Sequence, residues 1–217
     1  MMRQVASPKS TGGGGYQFED KVLAWWCLHM LAGRSPLDAK LGPPTKIQLQ
    51  ARPDGWLLDD MVVEFSSPAG TVRAAVSVKS DRVVKRTGAP ADFVEDCWNL
   101  HLSPGATGFN CARDFLVLAS GSLEVTVRDA VDAALALATA EQAQLDTRIP
   151  IASWTNDNVR SFVLSFACPN GLVSDGATHS IGALLSAVRI QDFDFERIDS
   201  SDEGRAQARE LSSIVPT

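Results

Sequence analysis

The sequence predicts an α/β fold: a mixed sheet of four to five strands flanked by helices, with a helical C-terminal part. An amphipathic helix precedes three strand-like segments separated by turn residues. A nearly unbroken apolar run, Asp114-Phe-Leu-Val-Leu-Ala119, suits a strand in a sheet interior. After Gly121 the text is mostly helical, rich in Ala and Leu.

Residues 1 to 15 mix Ser, Thr and Pro with four consecutive glycines and read as a flexible tail. From Gln17 to Leu31, Phe18, Val22, Trp25, Trp26 and His29 recur at three- and four-residue spacing, which predicts a largely buried helix. Gly33, Pro36, Gly42, Pro43 and Pro44 then mark a loop. Strands are predicted over Lys46–Ala51, Asp60–Phe65 and Val72–Lys79 as a meander. In the third, Val72, Ala74, Val76 and Val78 alternate with Arg73, Ala75, Ser77 and Lys79, placing Ser77 and Lys79 on one face. A helix starts at Pro90 and ends before Pro104, with Phe93, Val94, Cys97, Trp98 and Leu100 as its apolar side. Further helices are expected over Val125–Leu145, Asn156–Ala167, Ile181–Ala187 and Asp202–Ile214, with a strand at Val188–Phe195. Residues 16 to 217 read as one domain, a core to about residue 120 and a helical extension beyond it.

The chain has 217 residues, 45% hydrophobic and 21% charged, which excludes disorder and collagen-like repetition. Its apolar runs fall far short of the roughly 20 residues that a membrane span needs, and no secretory leader is evident, so a cytoplasmic protein without membrane association is expected. Cys27, Cys97, Cys111 and Cys168 form no CxxC pair and read as reduced thiols. Cys97, His101 and Cys111 could in principle ligate zinc, but without a second paired spacing buried thiols are the better account. His29, His101 and His179 are read as structural, Pro53-Asp54 as a turn, and Trp56 as an exposed contact. Gly12 to Gly15 lack the lysine and hydroxyl of a nucleotide-binding loop, so a hinge is the better reading. A net charge of −6 repels nucleic acid from the chain as a whole. Any phosphate binding must be local, and the one basic cluster is Lys79, Arg82, Lys85 and Arg86, opposed only by Asp81.

The order helix, three strands, helix, strand, with acidic residues opening the second strand and a lysine ending the third, resembles the PD-(D/E)XK nuclease superfamily. The segments GGGGYQFEDKVLAWWCLHMLAG, LLDDMVVEF and AAVSVKSDR are similar to the N-terminal nuclease domains of bacterial antiphage effectors, among them those fused to STAND-type NTPases and the CBASS endonucleases. APADFVEDCW, DFLVLASG and VRIQDFDFE resemble the same group, so the likeness spans most of residues 12 to 200.

That resemblance implies a restriction-endonuclease-like core and a metal-dependent DNA endonuclease effector with little sequence preference. It also implies a domain excised from a longer protein, which oligomerises through itself or through a fused sensor or NTPase region. The cofactor would be Mg²⁺, or Mn²⁺, on double-stranded DNA. Asp60 is the first choice of metal ligand and Asp59 the second. Lys79 would assist the attacking water, and Arg82, Lys85 and Arg86 would contact backbone phosphates. The chemistry suits these residue types: hard cations take carboxylate oxygens, and a lysine is a compact point charge for developing negative charge. Ser77 stands where the superfamily carries Glu or Gln. Three outcomes stay open: Ser77 holds a metal-bound water, Glu19 of the first helix supplies the missing carboxylate, or the site only binds. The last defines the alternative, a catalytically degenerate module that binds nucleic acid or a protein partner.

Overall fold

The computed structural model describes residues 14–38, 40–68, 70–80, 83–121, 123–141, 156–169, 171–172 and 180–193. Helix α1 (Gly14–Leu31) leads into a meander of β1 (Pro44–Leu49), β2 (Met61–Ser67) and β3 (Gly70–Lys79). Helix α2 (Ala91–Leu102) then crosses over to β4 (Phe115–Gly121). Three helices follow, α3 (Val125–Ala140), α4 (Asp157–Ser165) and α5 (Ile181–Ala187), before β5 (Val188–Phe193). The strands lie in the order β1-β2-β3-β4-β5. The first three pair antiparallel, whereas β3 with β4 and β4 with β5 pair parallel.

Alternation along the strands divides the core into two layers. Val72, Ala74 and Val76 of β3, with Met61, Val63 and Phe65 of β2, pack with Val22 and Trp26 of α1. Ala75 and Val62 face the other way, into a larger layer with Phe93, Val94, Cys97 and Trp98 of α2 and the buried sides of α3, α4 and α5. β4 contributes to both layers, Val117 and Ala119 to one and Leu116 and Leu118 to the other, as its continuous apolar run predicts. The α/β class, the mixed sheet and the helical part are therefore as the sequence predicts. No helix among the described residues is long and apolar enough to cross a membrane.

Differences are local. Helix α1 begins at Gly14, inside the stretch read as a tail. The first strand begins two residues earlier than predicted, at Pro44, and α3 ends at Ala140, where the Glu141 amide donates to the Leu137 carbonyl. Trp56, read as an exposed contact, is 5% exposed: it lies in the larger layer with the Arg73 guanidinium 5.2 Å from its ring centre. The position is a turn in backbone terms, but the side chain folds under it. All four cysteines are free thiols, and His101 Nδ1 lies 3.1 Å from Cys111 Sγ. Burial pushes the Cys111 thiol up to about 12, with Asp114 adding to the effect. Residues 1–13, residues 142–155, His179 and the helix expected over Asp202–Ile214 lie outside the described residues.

The start of β4 is fixed to β3 by one fully buried carboxylate. Asp114 accepts from the Arg73 amide at 3.0 Å, the Asn110 amide at 3.1 Å, and Arg113 Nη2 at 2.7 Å, and it also faces Arg73 Nη2 at 3.4 Å. Removing Asp114 leaves the Arg73 and Asn110 amides without their acceptor and two partly exposed guanidiniums without their counter-charge. Asp114→Ala should lower stability by about 3–5 kcal/mol, read as a shifted urea midpoint with an unchanged denaturant slope. A loss under about 1 kcal/mol would mean that the network is solvated.

Candidate functional site

Three ladders of the sheet end at different places, and the site lies where they part. The β2–β3 ladder stops at Met61↔Val76. The β1–β2 pairing runs on, since the Gln50 amide donates to the Asp60 carbonyl at 3.3 Å and the Ala51 amide to the Asp59 carbonyl at 2.9 Å. β3 in turn stays with β4 as far as Lys79↔Ser120. The strands β2 and β3 therefore fork. The amide of Val78, which lies beyond the last paired residue of that ladder, donates instead to Asp60 Oδ2 at 2.6 Å. A side chain thus takes the place of a strand at the mouth of the fork.

That carboxylate stands in a tense environment. Burial, the largest influence, pushes Asp60 above the ordinary carboxylate range and Asp59 adds to it, while the Val78 amide, the Lys79 charge and a hydrogen bond from Ser77 pull the other way. Glu19 of α1 is also raised, first by burial and then by Asp60 and Asp20. Both acids line one small pocket of about 50 Å³, with Asp20, Leu23, Leu49, Met61 and Val78 completing its wall. The pocket has room for only a few water-sized groups. Asp60 thus disfavours ionisation of Glu19, and two carboxylates on one pocket are the oxygen donors a hard cation takes.

The fold thus brings together Asp60, Ser77 and Glu19, with Lys79 close enough to act on Asp60 electrostatically. Ser77 is buried at 7% exposure and is among the groups that favour the ionised Asp60 carboxylate. Asp59, the second choice of ligand, does not line the pocket and lies 3.6 Å from Arg52 Nη1. Glu64 lies toward the far end of β2, bonded to Lys46 at 3.2 Å. Lys79 Nζ is 3.5 Å from Asp92 Oδ2 in the first turn of α2. Lys85 and Arg86 sit on a tight exposed turn closed by reciprocal bonds between Lys85 and Gly88. Arg86 pairs with Glu124 at 3.7 Å. Arg82 lies outside the described residues.

Among the described residues, no group of three His, Cys, Asp or Glu side chains could hold a metal ion. Mg²⁺ does not demand one, since it retains several waters and is commonly held by one or two carboxylates. Glu19 and Asp60 fit that donor set, as hard oxygen ligands on one pocket. Sequence reasoning did not single out Asp20 or Asp92. Asp20 adjoins Glu19, and Asp92 is an acid in a helical first turn, a position that the helix dipole favours without any site. Comparison with protein-family models, with curated proteins and with solved structures returns no match.

The raised Asp60 carboxyl makes stability depend on pH with a definite sign. The folded state holds the proton more tightly than the unfolded chain, so the carboxylate's contribution falls as pH rises from the ordinary value of 3.8 through the folded value. Asp60→Asn keeps an oxygen acceptor for the Val78 amide and removes the charge. Its stability relative to wild type should therefore be greater at neutral pH than near pH 3.5, as measured by urea unfolding at both. The opposite trend would show that Lys79 and the Val78 amide outweigh burial.

Proposed function

We propose that the chain is a metal-dependent DNA endonuclease domain, an effector of bacterial antiphage defence that acts in the cytoplasm on double-stranded DNA. The observation that carries this reading is the fork. It sets Asp60, at the head of β2, within electrostatic reach of Lys79, at the end of β3, in the order helix, three strands, helix, strand, with Glu19 on the same pocket as Asp60. A divalent cation, Mg²⁺ or Mn²⁺, would supply charge neutralisation at a phosphodiester and acidify a bound water. Asp60 and Glu19 would hold it. Ser77, which favours the ionised form of Asp60, would help orient that carboxylate, the part that a side chain too poor to be a ligand can still perform. Lys79 would stabilise the charge that develops on the phosphate, a role that suits a compact ammonium at a strand end. Lys85 and Arg86 would grip the backbone and fix its position without reading bases. Such a domain would be controlled by oligomerisation through itself or a fused sensor or NTPase region, since unregulated cutting harms the host.

One observation favours a second reading, a degenerate module that only binds. Ser77 stands where the superfamily that the sequence resembles carries a carboxylate or amide ligand. Cleavage of supercoiled plasmid by wild type, Asp60→Ala and Lys79→Ala, each with Mg²⁺, Mn²⁺ or EDTA, separates the two. Under the nuclease reading, wild type nicks plasmid only with metal, and each substitution slows it by about 100-fold or more. Under the binding reading no protein cuts, and isothermal titration detects no metal uptake that depends on Asp60.

A further inference from the structure

Lys79 and Asp92 bracket the basic turn. Lys79 is the last residue of β3 and is fixed by its register with Ser120 of β4. Asp92 is the second residue of α2, whose inner face of Phe93, Val94, Cys97 and Trp98 is buried. The indole of Trp98 donates to the Phe166 carbonyl at 2.9 Å, so α2 is anchored independently of its charged end. Between the two residues run Lys85 and Arg86, on a turn whose base is pinned by the Ala89 amide to Ser165 Oγ at 3.0 Å. The 3.5 Å ion pair thus closes the neck of this crossover, and rigid elements set its two ends.

The pair is poorly suited to a stabilising role. Its side chains are 38% and 67% exposed, and exposed pairs of this kind contribute little to folding. Asp92 also helps to keep the neighbourhood negative: burial, with Asp92, Glu95 and Asp59 and against Arg52, holds Asp96 above the ordinary carboxylate range. A phosphate approaching Lys79 therefore meets a carboxylate already seated there.

We propose that Asp92 is an internal counter-anion that occupies, against the Lys79 ammonium, the position a phosphate oxygen of nucleic acid takes on binding. This rests on the nucleic-acid reading of the same site. Engagement of the polyanion then exchanges one ion pair for another, and Asp92 sets a threshold on binding that is independent of the metal.

Binding of a fluorescent DNA duplex, followed by anisotropy in EDTA between about 50 and 200 mM salt, tests the proposal on wild type, Asp92→Asn, Lys79→Ala and the double variant. EDTA prevents cutting, and thermal melts check that each variant is folded. Asp92→Asn should bind more tightly than wild type. One freed cation adds about 0.9 to the slope of log affinity against log salt, so its advantage should shrink roughly 3.5-fold across that range. The advantage should be largely lost in the double variant, measured against Lys79→Ala alone. An equal gain in that Lys79→Ala background would reduce the effect to overall charge and overturn the proposal, as would no gain at all. Coupled tightening in a protein that neither cuts plasmid nor takes up metal through Asp60 would sustain Asp92's role and reject the nuclease reading. Absence of binding by all four proteins would overturn both.

Discussion

The fork between β2 and β3 is the constraint on which the site depends. A backbone amide at the end of a sheet ladder needs an acceptor, and at Val78 the acceptor is the Asp60 carboxylate rather than another strand. That bond fixes the side chain against the sheet, where burial resists its ionisation, and this environment is what makes it chemically interesting. The same splay leaves the small pocket that Glu19 enters from α1. Position, burial and access thus follow from one unpaired register.

Sheet direction explains why the fork falls at β3. This strand is antiparallel to β2 on one side and parallel to β4 on the other, so its C-terminal end is the seam between two kinds of pairing. The β3-to-α2 crossover leaves from that seam, carrying Lys85 and Arg86 with it. The two-layered core keeps the seam rigid: α1 covers one face of β3 and the helices α2 to α5 cover the other.

Much of this was legible in the residues. Strict alternation in β3 set the sides on which Val76 and Ala75 pack, and the uniform run of β4 marked a strand buried on both faces. Glu19 and Asp60 line one pocket, a proximity across elements that residue spacing alone does not set. Asp60 is ranked before Asp59 in the sequence, but where each side chain goes was not legible: the fork, beyond the last regular pair, sets Asp60 on the Val78 amide and leaves Asp59 beside Arg52. Trp56 misled because a turn sequence says nothing about which way a large side chain folds; here Arg73, on a strand distant in the chain, draws it inward. Asp92 was invisible for the opposite reason, since an acid in a helical first turn already has a sufficient local explanation.

Charge links these points. A chain of net charge −6 meets a phosphate polymer only where cations are gathered, yet two of the three described cations in its basic cluster, Lys79 and Arg86, face carboxylates of their own. Each contact is exposed and loose, so its interaction energy is small and sensitive to salt. A polyanion offers many charges at fixed spacing and gains by releasing counter-ions, which a lone carboxylate cannot match. Exchange of partners therefore favours the polymer once several cations engage together, while isolated anions leave the internal pairs in place. Under the proposed function, the acidic surroundings would act as a filter on affinity rather than a contradiction of it: they would weaken casual encounters and leave the fork, with Asp60 and Lys79, to a ligand long enough to reach both it and the basic turn.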